Sequence, residues 1–125
     1  METSTPSAGK PFDLCERSFL FALSIIKLCQ QLERSRSSST WVLSKQVLRS
    51  ATSVGANIEE AQGGQSRADF ISKYSIARKE IRETNYWLRL LLASGIISKE
   101  DGQPILSESV ELLKILTTII KKAHP

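Results

Sequence analysis

Two apolar stripes separated by one sharp break, between Val47 and Leu92, constrain the fold of this chain more than any other feature. Before the break, small and apolar residues recur at alternating four- and three-residue steps: Val47, Ala51, Val54, Ile58 and Ala61. After it, the same spacing continues over three heptads: Phe70, Tyr74, Ala77, Ile81, Thr84, Leu88 and Leu91. Such steps place each set on one face of a 3.6-residue helix. The stretch therefore predicts two amphipathic helices.

The break between these helices carries stop and start signals. Gly63 and Gly64 predict a left-handed stop for the earlier helix, because glycine adopts positive φ without steric cost. Ser66 predicts the cap of the later helix, with Asp69 three residues on as its capping-box partner. The two helices are therefore expected to form an antiparallel hairpin.

A helix is also predicted before this hairpin, from about Asp13 to Arg34, with Asp13 as its cap and Glu16 at the third helical position. It carries two apolar stripes: Phe12, Cys15, Phe19, Ala22, Ile26 and Cys29 form one, and Ser18, Phe21, Ile25, Leu28 and Leu32 form the other. Together they are wider than one packing seam requires. We expect an additional contact, with a third helix or another subunit, and we expect Phe21 and Ile25 to lie at a subunit interface.

The remaining boundaries follow from caps and breakers. The helix before the break is predicted to begin near Ser39 or Thr40. Its interior contains Gly55, which costs about 1 kcal/mol of helix stability relative to alanine and therefore predicts close approach of a neighbouring helix. The helix after the break is predicted from Arg67 to about Ser94, with Gly95 as its stop. A last helix starts between Ser98 and Pro104, with two further apolar stripes: Leu106, Val110, Leu113, Thr117 and Ile120, and Leu112, Leu116 and Ile119.

Four amphipathic helices joined by short loops predict an all-α, antiparallel up-down-up-down four-helix bundle. A chain of 125 residues suits one domain, which we assign to residues 12–125, with residues 1–11 as a disordered lead-in. The composition, 24% charged and 41% hydrophobic, is typical of a soluble globular protein. The apolar run from Phe19 to Cys29 is too short to span a bilayer and has no signal-peptide cleavage site. We expect a cytoplasmic protein with no membrane association and reduced cysteines.

The charge of the chain is concentrated on the third helix. Between Arg67 and Arg89, six cations face only three carboxylates, which accounts for +3 of the formal net charge of +4. Arg78, Arg82, Asn85 and Arg89 recur at four-three-four spacing and share one stripe. The candidate nucleic-acid contacts are Arg67, Lys73, Arg78, Arg82 and Arg89. Alternatively, the arginines of this stripe only pair with Glu80, Glu83 and their neighbours on a solvated face.

Enzymatic functions find little support. Glu59, Glu60, Glu80 and Glu83 could converge as a carboxylate cluster, but bundle di-metal sites also need Glu-x-x-His pairs, and the only histidine is His124. No phosphate-binding loop or nucleophile elbow is present, and neither cysteine has a histidine partner. We expect no catalytic residues, metal or cofactor. Trp41 and Trp87 could stack on bases, although helix contacts are their more common use.

Two segments carry a family resemblance. The run from Gln46 to Glu60 resembles the glutamine-leucine-arginine, serine-x-x-asparagine-isoleucine-x-glutamate signature of bacterial four-helix-bundle proteins first named for reading frames inside 23S ribosomal RNA intervening sequences. This run contains Gly55, Asn57 and Glu60. A second block is similar to the family's third-helix pattern: Ser66, Phe70, Ala77, Glu80, Glu83 and Thr84. Ala61 stands where many members have glycine, which implies a displaced or longer hairpin.

The resemblance implies assembly more than activity. Members of this family form ring-shaped homopentamers, and no catalytic residues are established for them. The accessory proteins of diversity-generating retroelements are related, and they are thought to bind nucleic acid and a reverse transcriptase through a basic surface. Two functions therefore remain open: a nucleic-acid-binding or accessory protein that uses the basic third helix, and a homo-oligomeric assembly or protein-interaction scaffold with no nucleic-acid role.

Overall fold

Each helix of the protein begins at a polar residue whose side-chain oxygen accepts a hydrogen bond from a backbone N–H of the first turn. The computed structural model describes residues 13–64 and 66–124. The four caps and the helices that they begin are Asp13 for α1 (Leu14–Leu32), Ser37 for α2 (Ser38–Gln62), Ser66 for α3 (Arg67–Ala93) and Ser98 for α4 (Lys99–Ala123). The predicted caps Asp13 and Ser66 are confirmed.

The four helices pack as a bundle. Each helix contacts the next one along the chain, and α1 also contacts α4, through the sparsest of these interfaces. A bidentate ion pair reinforces that interface, with Arg17 Nε 2.6 Å and Nη2 2.8 Å from the two carboxylate oxygens of Glu108. This bonding raises the pKa of Arg17 further. The described ranges contain no strand, and the predicted all-α four-helix bundle is confirmed.

The apolar stripes of α2 and α3 form the centre of the core, as predicted. Val47, Ala51, Val54 and Ile58 are fully buried on α2, and their counterparts on α3 are Ala77, Ile81, Thr84, Leu88 and Leu91. From α4, Leu112, Leu116 and Ile120 complete the core. Burial of a leucine- or isoleucine-sized side chain contributes about 1.5–3 kcal/mol, so these stripes contribute strongly to the stability of the bundle.

On α1, the stripe that contains Phe21 and Ile25 faces the interior, and the other stripe reaches the core at Cys29. Phe21 and Ile25 are 3% and 0% exposed, so the expectation that they lie at a subunit interface is wrong. They belong to the stripe that packs into the bundle, whereas Phe19, in the other stripe, is 57% exposed. Phe12 and the predicted lead-in, residues 1–11, lie outside the described residues.

The end of α2 differs from the predicted left-handed stop. Gly63 has a φ of −95° and is therefore not left-handed. In the described part of the chain, positive φ occurs at Gly95, with a φ of 78°. The last turn instead tightens: the N–H groups of Gly63 and Gly64 donate to the carbonyls three residues earlier, which satisfies these acceptors without positive φ. Gly95 follows the cap Ser94 and acts as the predicted stop of α3.

Helix α4 starts at the early end of its predicted range and continues through Gly102 and Pro104. Gly102 is buried against the preceding loop: a Cβ atom there would lie 2.6 Å from Ile97 Cδ1 and 2.7 Å from Leu92 Cδ2. The glycine thus lets the α3–α4 loop fold onto the first turn of α4. Ser98, whose Oγ accepts from the Asp101 N–H at 3.1 Å, fixes the start despite the proline.

Gly55 brings α2 close to α1. A Cβ atom at this buried position would lie 3.5 Å from Ser18 Oγ and 3.6 Å from the Ser18 carbonyl oxygen, in ordinary van der Waals contact. The backbone of α1 at Ser18 is therefore within contact distance of this position, as close approach of a helix requires. There is room for a methyl group, but a longer side chain would push the helices apart.

Candidate nucleic-acid interface

A polar seam joins α2 to α3 and engages Glu80 and Glu83 of α3. Arg49 Nη1 lies 3.4 Å from Glu80 Oε1, and Arg49 Nη2 binds the Glu83 carboxylate. Glu83 Oε2 also accepts from the indole N–H of Trp87 at 3.1 Å. The alternative that Arg78, Arg82 and Arg89 pair with these carboxylates is therefore wrong, because the carboxylates face α2.

Hydroxyl groups continue this seam into the core. Ser50 Oγ lies 2.7 Å from Thr84 Oγ1, and Thr84 Oγ1 donates to the Glu80 carbonyl at 2.9 Å. Ser50 and Thr84 are both fully buried. Residues from the two sequence blocks that carry the family resemblance thus contact each other across the α2–α3 interface, and Glu80 and Glu83 act in packing.

Most of the other residues of the family signature make contacts within the bundle. Asn57 Nδ2 donates to the Ser53 carbonyl at 2.9 Å, on the same helix. Phe70 stacks on Tyr74 with ring centroids 4.2 Å apart, and Ala77 is buried. Glu60 is exposed in the last turn of α2. Among the described residues, no group of His, Cys, Asp or Glu side chains could hold a metal ion.

The predicted arginines occupy the side of α3 away from that seam. At 100° per residue, Arg78, Arg82 and Arg89 fall within about 40° of one another around the helix. Arg82 and Arg89 are exposed and Arg78 is half-buried. Arg89 Nε donates to Asn85 Oδ1 at 2.9 Å, and Asn85 Nδ2 donates to Ser109 Oγ on α4 at 3.0 Å. The stripe therefore borders α4.

Two of these arginines have no partner among the residues that the structure describes. Within residues 13–64 and 66–124, neither Arg78 nor Arg82 makes a hydrogen bond, an ion pair or an aromatic contact. Arg67 lies on the same side of α3, and its Nη1 is 3.5 Å from the Ala123 carbonyl at the end of α4, where a cation is favourable. We call Arg67, Arg78, Arg82 and Arg89 the arginine face.

Lys73 does not join the arginine face. It lies about 180° around α3 from Arg82 and is half-buried, on the side that packs on α2. Two residues that the sequence analysis missed do join it: Lys79 is exposed about 60° from Arg82, and Tyr86 is 47% exposed about 40° from Arg82. Their spacing in the sequence could have predicted this, because Lys79 is three residues before Arg82 and Tyr86 is four residues after it.

Aromatic side chains divide by exposure. Trp87 is half-buried and bound to Glu83, so it completes the α2–α3 contact. Trp41 is 49% exposed, with Lys45 Nζ 3.8 Å from its ring centroid. Tyr86 contacts the Trp87 ring edge-on at 5.2 Å, and Arg89 Cζ lies 5.5 Å from its centroid. Tyr86 is therefore the exposed aromatic residue of the arginine face.

An apolar surface lies on the opposite side of the bundle. Phe19, Leu20 and Leu23 of α1 are 57%, 49% and 38% exposed. Beside Phe19, a groove of about 310 Å³ runs between α1 and α2, lined by Cys15, Phe19, Ala22, Thr52, Gly55, Ala56 and Glu59. Burial, with the nearby Glu59 and Asp13, raises the pKa of the Cys15 thiol. No helix in the described ranges is long and apolar enough to cross a membrane.

The fold, with a basic third helix, places the chain in the class of four-helix-bundle proteins. The model of the 23S rRNA-intervening sequence protein family matches residues 10–118, and the chain belongs to this family. It is not a known enzyme family. The family assignment made from the two sequence blocks is thereby confirmed.

A solved structure agrees with this assignment. The chain is 46% identical to a protein of unknown function from the S23 ribosomal protein family of Bacteroides thetaiotaomicron, with a TM-score of 0.82. The match covers 87% of this chain and 99% of that protein. No curated protein matches the chain.

Proposed function

We propose that this protein is a non-enzymatic nucleic-acid-binding protein that contacts phosphates through the arginine face. The observation that supports this most directly is the separation of charge around α3. Arg49 engages Glu80 and Glu83 on one side of the helix, which leaves Arg78 and Arg82 without an acidic partner in the described part of the protein. Guanidinium groups that are not needed by the fold are available for phosphate oxygens.

The spacing of the arginine face suits a polyanion. Along α3, Arg78 and Arg82 are separated by about 6 Å, and Arg82 and Arg89 by about 10 Å, at 1.5 Å per residue. The face therefore presents a guanidinium group at intervals of two to three base steps, taking about 3.4 Å per step along one strand. Such contacts position a nucleic acid without reading its sequence.

Self-association would give each assembly several copies of the arginine face, one per subunit. We propose that the chain forms a homo-oligomer, and the family resemblance favours a pentamer. Phe19, Leu20 and Leu23, the exposed apolar residues of α1, replace Phe21 and Ile25 as the proposed interface residues. The groove beside Gly55 offers a complementary surface, and contact between a ridge of one copy and a groove of the next generates a ring when the rotation closes.

A scaffold without a nucleic-acid role is the second candidate. The observation that favours it is the exposed apolar surface of α1, together with Trp41 and Val42 on α2, which are 49% and 51% exposed. Exposed apolar patches of several hundred Å² often mark protein-binding surfaces. A protein partner, such as the reverse transcriptase suggested by the related accessory proteins, would then bind there, and the arginine face would remain solvated.

A salt titration separates the two candidates. Fluorescence anisotropy of a labelled 20-nucleotide RNA or DNA is measured with the full chain from about 50 to 200 mM salt. If three arginines neutralise phosphates, log K falls with log salt with a slope of about −2.7 per subunit on duplex DNA and about −2.1 on a single strand. Binding no tighter than that of an unrelated protein of equal net charge would overturn the proposal and leave the scaffold function.

A further inference from the structure

We infer that the arginine face binds single-stranded nucleic acid and that Tyr86 stacks on one of its bases. This rests on the proposed function and specifies its ligand. Tyr86 lies within about 60° of Lys79, Arg82 and Arg89 around α3, with Lys79 and Arg82 in the turns before it and Arg89 in the turn after it. An aromatic ring thus lies between cations on one exposed surface.

The ring of Tyr86 is held from two directions and remains accessible. The Trp87 ring meets it edge-on at 5.2 Å, and Trp87 is fixed by its bond to Glu83. The Arg89 guanidinium lies 5.5 Å from the centroid and is fixed by Asn85. Despite both contacts, 47% of Tyr86 is exposed. Its orientation is therefore set before a ligand binds, which reduces the entropy cost of stacking.

Isolated exposed aromatic residues are common on protein surfaces and have no such meaning. The position of Tyr86 is what distinguishes it, because phosphates held by Arg82 and Arg89 would bring the intervening nucleotide over the ring. Cationic surfaces with stacking platforms are the usual means of binding single strands. Within a duplex, away from its ends, no base face is open to this ring, since the bases are stacked on one another. The arrangement therefore favours a single strand over a duplex.

The sugar does not enter the stacking contact. Base–aromatic stacking tolerates any sequence because every base has a π-face, and a 2′-hydroxyl is not required. Single-stranded RNA and single-stranded DNA are therefore both expected to bind through Tyr86. A difference in affinity between them would report contacts to the 2′-hydroxyl elsewhere, whereas the effect of removing the ring should be equal for the two sugars.

The test compares Tyr86→Ala and Tyr86→Phe with the wild-type chain. Four labelled ligands of 12 nucleotides are used: single-stranded RNA, single-stranded DNA, a blunt DNA duplex, and a strand of abasic sugar-phosphate units. We expect Tyr86→Ala to weaken binding of both base-containing single strands about fivefold or more and Tyr86→Phe to bind like wild type. The abasic strand and the duplex should bind both variants and the wild type equally. Circular dichroism and light scattering verify that each variant remains folded and assembled.

Different results would overturn the stacking inference and the proposed function. Tyr86→Ala that binds intact single strands like wild type, while charge reversal of Arg78, Arg82 and Arg89 removes binding, overturns the stacking inference and leaves the proposed function standing. A preference of the wild-type chain for the duplex also overturns the stacking inference. So does a Tyr86→Ala variant that loses as much affinity for the abasic strand as for the intact strand. A wild-type chain that binds none of the four ligands overturns both.

Discussion

Arg49 on α2 binds the carboxylate of Glu80 on α3 and so joins the two sequence blocks that identify the family. The Nη1 to Oε1 distance is 3.4 Å, and Glu80 is only 8% exposed. The second arm of the same guanidinium binds Glu83. Since a buried carboxylate is costly without a cationic partner, Arg49 is the residue that allows Glu80 to pack in the α2–α3 interface. It also leaves the cations on the other side of α3 without these carboxylates as partners.

Loss of Arg49 should therefore destabilise the bundle. In Arg49→Met, Glu80 keeps its place but loses its charged partner, and we expect a loss of about 1–3 kcal/mol in the free energy of unfolding. Urea denaturation measures this. In the double variant with Glu80→Gln, the loss should be smaller than the sum of the two single losses, because a neutral amide needs no cation. Additive effects would mean that the ion pair does not couple the helices.

Gly55 sets the distance between α1 and α2. A methyl group would fit at ordinary contact distance from Ser18, so Gly55→Ala should be neutral or stabilising by up to about 1 kcal/mol, through helix propensity. Gly55→Leu requires the backbone of α1 to move and should lower stability by about 1–3 kcal/mol in spite of its better propensity. Thermal melts of the two variants decide this. An unchanged or raised melting temperature for Gly55→Leu would remove the close-packing explanation.

Local signals predicted the helices well, and they failed where a contact between helices decided the outcome. Asp13, Ser66 and the heptad stripes of α2 and α3 act within one or two turns, so the sequence displays them directly. The two stripes of α1 are chemically similar, and only the positions of α2 and α4 determine that Phe21 and Ile25 face inward. At the α2 end, Gly63 permits a left-handed stop but does not require one.

The candidate site shows the same division. Periodicity placed Arg78, Arg82 and Arg89 on one stripe, because spacing along a single helix is enough for that. Arg49 is 31 residues before Glu80, and their pairing depends on the register of α2 against α3, which no local pattern contains. The exposure of Tyr86 was not predictable, because it depends on how the neighbouring helices pack against α3, which the sequence pattern does not contain.

Cys29 should make stability sensitive to alkaline pH. Burial raises the pKa of its thiol above the ordinary value of 9.0, and its Sγ donates to the Ser44 carbonyl at 3.4 Å. The folded protein therefore holds this proton more tightly than the unfolded chain does. The resulting stabilisation is complete below pH 9.0 and is lost as the pH rises through the raised value. Melting temperatures measured across this range should fall less steeply in Cys29→Ala.

Tyr74 is the control for this effect, because burial also raises the pKa of its hydroxyl above the ordinary value of 10.0. Tyr74→Phe should make the fall in melting temperature less steep only at the higher end of the pH range.

At neutral pH, iodoacetamide should leave Cys29 unmodified in the folded protein and modify it after unfolding. Rapid alkylation of Cys29 in the native state would contradict its protected position.

Exposed residues of α1 should control assembly. Phe19→Glu with Leu23→Glu is expected to convert the proposed oligomer into a 13.9 kDa monomer that retains its helicity, because both side chains lie outside the subunit core. Phe21→Glu places a charge in the core and should unfold the subunit instead. Light scattering and circular dichroism distinguish these results. A wild-type chain that is monomeric at micromolar concentration would disprove self-association through this surface.

Arg78, Arg82 and Arg89 provide the most direct test of the proposed function. Replacing all three with glutamate lowers the formal net charge from +4 to −2, since each reversal removes two charges. If these residues contact phosphates, nucleic-acid binding should be abolished, while helicity and oligomer size are retained. Stability should change little, because among the described residues these three arginines lose a single hydrogen bond, from Arg89 to Asn85, which is exposed and worth about 0.3–0.5 kcal/mol.

A matched control separates a local contact from the effect of net charge. Lys27, Arg36 and Lys45 are exposed on α1, on the α1–α2 loop and on α2, and their replacement by glutamate gives the same net charge of −2. At about 0.15 M salt the Debye length is about 8 Å, so distant charges contribute little to binding on α3. The control should therefore retain most of the affinity and nearly the full salt slope of the wild type, whereas the arginine variant should lose both. Equal losses in the two variants would show that binding follows net charge alone, and wild-type binding in a folded arginine variant would rule out these arginines as the phosphate contacts.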